Sequence, residues 1–125
     1  MITVELPYPP SGNHYYRFYQ GRPILSKEAR SYRQVVLKTL RSAGVKPLFG
    51  PLAVRIDAFP PDRRRRDIDN ILKSLLDALE YGNAFMDDSQ IVELHARKLK
   101  QRSGGKVLVK IQKMEEQDAK SLDRV

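Results

Sequence analysis

The sequence predicts an α/β protein with a small mixed or antiparallel sheet of about five strands and two principal helices. Several short segments alternate apolar and polar residues, as strands do, and two longer segments repeat apolar residues at helical spacing. The length of 125 residues suits one domain with its own hydrophobic core. We therefore expect a single domain over residues 1–113 and a polar tail over residues 114–125.

The amino-terminal part predicts a strand followed by a hairpin. Residues 2–6 alternate apolar and polar side chains, which is typical of a half-buried strand. Residues 15–19 and 22–25 can pair with each other, because Gln20-Gly21 between them suits a tight turn. These segments should form the first three strands.

Two helices and three more strands are expected further along the chain. Ser26 is a favourable N-cap for a helix over residues 26–43, and a second helix should span residues 70–81 and end at Gly82. Strands are expected over residues 52–59, 91–100 and 107–111. The glycine-containing turn at residues 103–105 predicts that the last two strands pair as a hairpin.

Charge and composition restrict the function. The formal net charge is +8 with 41% hydrophobic residues, which indicates a folded basic protein with a polyanionic partner. There is no cysteine, so neither a disulfide framework nor a thiolate metal site is expected. No segment reaches transmembrane length. We expect a cytoplasmic protein with no membrane association and no nucleotide cofactor.

Opposite charges are concentrated between Phe59 and Asp88. Arg63, Arg64, Arg65 and Arg66 run directly into Asp67 and Asp69, and a second acidic pair, Asp87 and Asp88, follows one helix later. Carboxylates two residues apart share a direction on extended chain but not on a helix, so Asp67 and Asp69 can share a ligand only if the helix begins after them. Asp69 should lie at or near its N-cap. Whether the second pair approaches the first depends on the fold.

Two interpretations of this acidic region remain open. Carboxylates without sulfur or nitrogen ligands suit a hard cation such as Mg²⁺, and neighbouring arginines suit a phosphate, which together indicate metal-dependent phosphodiester chemistry on nucleic acid. Alternatively, Asp67 and Asp69 only balance the arginines at a helix start, and the protein binds nucleic acid without chemistry. A cleavage assay with and without Mg²⁺ separates the two.

Basic residues elsewhere are candidates for contacting DNA. Arg17 is interleaved with aromatic residues in the predicted hairpin, an arrangement that can contact phosphate and stack on bases. Lys98 and Lys100 belong to a second basic surface near the end of a predicted strand. For the tyrosines of the predicted hairpin, the alternative is that they are merely amphipathic residues at the edge of the core.

Four segments together resemble the RusA-type Holliday-junction resolvases of phages and prophages. They are PYPPSGNHYYR at residues 7–17, PDRRRRDIDNILK at residues 61–73, the Met86-Asp87-Asp88 turn and the Gly104-Gly105 pair. The resemblance covers about residues 1 to 113. Gly12 stands where the family usually has asparagine, and Met86 where it has an aromatic residue.

The resemblance implies a homodimeric endonuclease that depends on Mg²⁺, with Mn²⁺ as a possible substitute, and cuts four-way DNA junctions symmetrically. It implies that Asp67, Asp69 and Asp88 bind the metal and that Lys73 is required for cleavage. Lys73 also has a structural interpretation, because an acid four residues before a lysine stabilises a helix. The role of Asp87 is left open.

Overall fold

The computed structural model describes residues 1–115 and Lys120. The predicted polar tail at residues 114–125 therefore lies mostly outside the described residues. The helices and strands are β1 (Ile2–Leu6), β2 (Tyr16–Tyr19), β3 (Arg22–Leu25), α1 (Lys27–Ser42), β4 (Leu52–Phe59), α2 (Leu72–Tyr81), β5 (Ile91–Lys98) and β6 (Lys106–Lys113). The mixed α/β class is confirmed.

The main sheet has four strands in the order β1-β6-β4-β5. Strand β6 is antiparallel to both of its neighbours, whereas β5 is parallel to β4. The predicted hairpin of β5 with β6 is wrong, because β4 lies between them. After β5 the chain crosses the end of β4, where Leu99 and Arg102 donate backbone hydrogen bonds to Ala58 (2.7 Å) and Pro60 (2.9 Å).

One face of the main sheet carries the hydrophobic core. Alternate residues of β1, β4 and β6 are buried under the two helices, as the period of two requires. Both helices contribute their apolar stripes to this core, with Val36 and Leu40 from α1 and Leu75 and Leu79 from α2. The opposite face is polar and includes an ion pair between Arg97 and Asp57 at 2.8 Å.

Helix α1 begins as predicted, since the hydroxyl of Ser26 accepts a hydrogen bond from the N–H of Ala29 at 3.1 Å. Helix α2 begins later than predicted, at Leu72, after a 3₁₀ turn over Ile68–Ile71. The residue that precedes this turn is Asp67, so the predicted N-cap position of Asp69 is wrong. Both aspartates lie before the α-helix, but only Asp67 is extended, because Asp69 is inside the 3₁₀ turn.

Strands β2 and β3 form a separate hairpin outside the main sheet. All four residues of β2 are exposed, including Phe18 with 76% of its surface accessible. The turn is formed by Gln20 and Gly21, as the sequence predicted, and the structure shows both residues at positive φ. Among the helices of the described chain, none is both long and apolar enough to cross a bilayer.

Candidate active site

A cleft of about 550 Å³ lies where the amino-terminal loop meets the arginine run. It is lined by Tyr8, Pro9, Ser11, Asn13, His14, Arg64, Arg65, Arg66, Asp67, Asn70 and Ile71. The fold thus joins two of the segments that were singled out in the sequence, although they are far apart along the chain. Three arginines in one wall give the cleft a positive charge suited to phosphate.

The arginine run is held in place by Asp62. Its carboxylate forms a two-point ion pair with the guanidinium of Arg66, one contact being 3.2 Å, and accepts the backbone N–H of Arg64 at 2.9 Å. Lys98 holds the same segment from the sheet, donating to the carbonyl oxygen of Arg66 at 2.8 Å. The segment is therefore anchored from both sides, and Lys98 has a structural partner besides any role with DNA.

The side-chain hydrogen bond from Arg66, followed by the backbone hydrogen bond from Arg64, lowers the pKa of Asp62 to about 2. Asp62 is consequently ionised at every pH at which the protein would act. The guanidinium of Arg66 also lies 5.9 Å from the centre of the Tyr8 ring. Asp62 was not singled out from the sequence, and its four-residue spacing from Arg66 does not predict the ion pair, because residues 61–67 are not helical.

Asp67 and Asp69 are exposed at the start of α2. Asp67 lies in the cleft wall beside Arg66, and Asp69 belongs to the 3₁₀ turn that follows it. Both carboxylates are thus available to a ligand in or near the cleft, next to the arginines that would hold its phosphates.

A second acidic cluster lies at the other end of α2. Carboxylate oxygens of Glu80, Asp87 and Asp88 all fall within 4.8 Å of one another, the only such group of three among residues 1–115 and 120. Glu80 is in the last turn of the helix, and its Oε1 accepts the backbone N–H of Asp88 at 2.8 Å. Glu80 was not predicted from the sequence, because its partners come from the loop that folds back on the helix end.

Asp87 has a clear structural role in this loop. Its carboxylate accepts the N–H of Ser89 at 2.8 Å, while the amide oxygen of Gln90 accepts the N–H of Asp87 at 3.1 Å, which is a reciprocal capping box. Gln90 also donates to the carbonyl oxygens of Leu48 and Gly50, both at 3.0 Å. The hydrogen bond from Ser89 lowers the pKa of Asp87. These hydrogen bonds hold the acidic loop in place. Asp87 is its capping residue, whereas the carboxylate of Asp88 does not cap the turn.

The two acidic groups are separated by the length of α2. The helix has ten residues, and at 1.5 Å per residue it is about 15 Å long. Asp67 and Asp69 precede its first residue, whereas Asp88 is bonded to its last turn. A single cation cannot be bound by both groups of one chain, since metal–oxygen distances are about 2 Å.

Lys73 is in the first turn of α2, but it does not form the predicted pair with Asp69. Its Nζ lies 3.5 Å from the Oδ2 of Asp77, one turn further along the helix. The 3₁₀ turn changes the spacing that an α-helix would have given to Asp69 and Lys73. The Nζ of Lys73 is also 5.7 Å from the centre of the Tyr15 ring, next to the cleft residue His14.

The remaining predicted positions lie outside the cleft lining or at its edge. Arg17 is exposed on the β2–β3 hairpin, and Lys100 is exposed in the segment after β5. Gly12 packs against the backbone of Asn70, where a Cβ atom would lie 3.2 Å from the carbonyl oxygen. The glycine at this position allows the amino-terminal loop to approach the start of α2. Met86 is exposed beside the second acidic cluster.

A basic cleft next to oxygen-only acidic groups is the kind of site that proteins acting on nucleic acids with a hard cation possess. Comparison with known proteins agrees with this class. The family described as Endodeoxyribonuclease RusA matches residues 7–112. The chain belongs to this family.

Similar proteins come from bacteria and from a phage. The Crossover junction endodeoxyribonuclease RusA of Escherichia coli (strain K12) is 38% identical over 113 residues, which are 90% of this chain and 94% of the relative. The protein of the same name from Shigella sonnei (strain Ss046) has the same identity and coverage. That of Enterobacteria phage 82 is 38% identical over 112 residues, which are 89% of this chain and 93% of the relative.

Proposed function

We propose that this protein is a structure-specific endonuclease that resolves Holliday junctions by paired incisions during DNA recombination and repair. The observation that carries the proposal is the cleft in which Arg64, Arg65 and Arg66 stand beside Asp67. Membership of the RusA family supports the reaction, and the names of the relatives support a crossover junction as the substrate. A DNA substrate of this kind would place the protein in the cytoplasm.

We further propose that the acidic residues bind Mg²⁺, with Mn²⁺ as a substitute. Every candidate ligand is a carboxylate oxygen on an exposed side chain, which fits a hard divalent cation that retains part of its water shell. When bound, such a cation polarises the phosphoryl group and makes water more acidic. The ligands from this chain would be Asp67, Asp69 and Asp88.

The remaining side chains would bind and orient the DNA. The arginines of the cleft would hold the phosphates on either side of the bond to be cut, with Arg66 kept in position by Asp62. Lys73 places its ammonium group in the first turn of α2, next to Asp77. There it would stabilise the additional negative charge that develops on the phosphate in the transition state.

We propose that the active unit is a homodimer and that each metal site takes ligands from both subunits. The distance between the two acidic groups supports this assembly, because one chain presents half of a site at each end of α2. A two-fold axis that placed the two α2 helices side by side and antiparallel would bring Asp88 of the partner subunit to Asp67 and Asp69. Two such sites related by the axis match the two-fold symmetry of paired cuts in a four-way junction.

A cleavage assay on a labelled four-way junction, with and without Mg²⁺, tests the proposal. We expect symmetric cuts that require the metal, loss of cutting in Asp69→Asn, and junction binding retained in that variant, because the substitution removes a negative charge that repels phosphate. Asp57→Asn, on the outer face of the sheet, is the matched control and should cut normally. Metal-independent binding without any cutting by the unsubstituted protein would instead favour a DNA-binding protein without chemistry.

A further inference from the structure

Lys73 belongs to a group of three side chains next to the cleft, and the other two members, Tyr15 and Asp77, have no assigned function. The hydroxyl of Tyr15 donates a hydrogen bond to the Oδ2 of Asp77, and the same oxygen lies 3.5 Å from the Nζ of Lys73. Tyr15 is buried, with 2% of its surface accessible, and the Asp77 side chain is 19% accessible. Burial and the hydrogen bond to Asp77 raise the pKa of Tyr15, so its hydroxyl remains a donor.

These contacts constrain the lysine from two directions. The Lys73 side chain is 55% accessible and would otherwise sample many rotamers. The Asp77 carboxylate attracts its ammonium group, while the Tyr15 ring lies 5.7 Å from the Nζ. The carboxylate itself is held by the buried Tyr15 hydroxyl. A rigid, buried tyrosine thus fixes an aspartate, which in turn fixes an exposed lysine.

The Asp77 carboxylate does more than accept the hydrogen bond of the Tyr15 hydroxyl. A buried tyrosine hydroxyl needs only one acceptor, and a neutral side chain would serve as well. An ion pair this exposed adds little to folding stability, because water screens the attraction and the two side chains lose rotamer freedom. A carboxylate at this position therefore mainly affects where the ammonium group of Lys73 lies. Arg33 also lies near the Tyr15 hydroxyl, and its guanidinium packs 5.0 Å from the centre of the Tyr81 ring.

The geometry points to Asp77 and Tyr15 as positioning residues that hold the ammonium group of Lys73 at the cleft for catalysis. This inference rests on the proposed endonuclease function and on the role proposed for Lys73. Asp77 acts only through Lys73 and does not touch the DNA or the cation. A correctly placed charge contributes to the chemical step rather than to binding, and a displacement of about 1 Å lowers the rate by roughly a hundredfold in demanding cases.

A double-mutant cycle between Asp77 and Lys73 tests the inference. Asp77→Asn keeps an oxygen acceptor for the Tyr15 hydroxyl but removes the charge that attracts the lysine. We expect it to lower the single-turnover cleavage rate about ten- to a hundredfold, with junction affinity changed by less than about twofold. In a Lys73→Met background the same substitution should change the residual rate by less than about twofold, because no ammonium group is left to position. Asp77→Glu should recover part of the rate.

The controls separate this inference from the proposed function. Tyr15→Phe should lower the rate by a smaller factor than Asp77→Asn, and Asp57→Asn, an aspartate of equal side-chain accessibility, should leave it unchanged. Thermal denaturation identifies any variant that fails to fold, in which case Asp77→Glu carries the comparison with Lys73→Met. Equal rate losses from Asp77→Asn in the two backgrounds would overturn the inference, whereas a wild-type protein that cuts no junction would overturn the proposed function itself.

Discussion

The Asp62 carboxylate holds the arginine run that lines the cleft, through its contacts with Arg66 and Arg64. It is partly exposed to solvent, yet its pKa is lowered to about 2, because the Arg66 guanidinium and the Arg64 N–H both donate to it. The folded pKa lies below the unfolded value, so the pair stabilises the folded protein above about pH 4, and this contribution is lost as the pH falls toward 2.

We expect an NMR titration of the Asp62 carboxyl to have its midpoint near 2 in the unsubstituted protein. In Arg66→Met the midpoint should rise toward the ordinary aspartate value of about 3.9, because the main hydrogen-bond donor is removed. A midpoint near the ordinary value in both proteins would show that Asp62 does not hold Arg66 in solution.

The arginines of the run should differ in their contribution to DNA binding. Arg65 lines the cleft, and Arg63 does not belong to its lining. Replacing Arg65 by glutamine should weaken junction binding and reduce the slope of log affinity against log salt by roughly 0.9, since one phosphate contact is lost. The slope should fall less in Arg63→Gln. Equal slopes in the two variants would argue against the cleft as the DNA-binding surface.

Gly82 shows, at the level of secondary-structure elements, how a correct sequence prediction can have a different physical cause. The helix ends there as expected, but its φ is −81°, so no left-handed conformation requires glycine. The residue with positive φ is Asn83, at 63°. A Cβ atom at position 82 would lie 2.6 Å from the Cδ1 of Leu40, so a larger residue would force this buried side chain between α1 and α2 to move.

Gly82→Ala should therefore lower the free energy of unfolding by about 1 to 3 kcal/mol, as overpacked cores do. Urea denaturation measures the change. Gly44→Ala is the informative comparison, because Gly44 has positive φ and a Cβ atom there would meet no other atom within 4 Å, so backbone strain alone would change its stability. If Leu40→Ala failed to relieve part of the Gly82→Ala cost, the close contact would not be its cause.

The β2–β3 hairpin is the element with the largest exposed aromatic surface. Tyr16, Phe18 and Tyr19 are 50%, 76% and 62% accessible, beside the basic Arg17 and Arg22. The sequence left two interpretations of these aromatic residues open, stacking on DNA bases and a position at the edge of the core, and stacking is worth about 1–3 kcal/mol per base. We expect Phe18→Ala to weaken binding to a four-way junction more than to a continuous duplex, because bases at a branch point are easier to unstack. A gel-shift comparison measures the difference, and equal losses on both substrates would contradict stacking at the branch.

At the scale of the whole molecule, local patterns in the sequence were reliable and long-range relations were not. The cap at Ser26 and the alternation in β4 depend on neighbouring residues, and both are confirmed. The order of β5 and β6 depends on which distant strand each one pairs with, and a short glycine turn suits a hairpin and a crossover equally well. The proximity of Glu80 to Asp88 could not be predicted for the same reason, since it requires the loop after α2 to fold back onto the helix end.

The separation of the acidic groups concerns the whole assembly. Asp67 and Asp69 lie at one end of α2, and Asp88 lies in the cluster at the other end. Neither end of one chain therefore holds all three of the proposed metal ligands. A cis arrangement within one chain would need α2 to break or shorten, although its apolar residues are in the core shared with α1. A dimer with shared sites leaves the helix intact.

Complementation between two inactive variants tests this account most directly. Asp69→Asn and Asp88→Asn proteins, each alone, should leave a supercoiled cruciform plasmid uncut in the presence of Mg²⁺. In a mixed dimer with shared sites, one site carries both substitutions and the other carries neither, so one strand should be nicked and open circles should form. The unsubstituted protein, as the positive control, should give linear product. If mixed dimers that form and bind the junction leave the plasmid supercoiled, the site is not shared between subunits and the account is wrong.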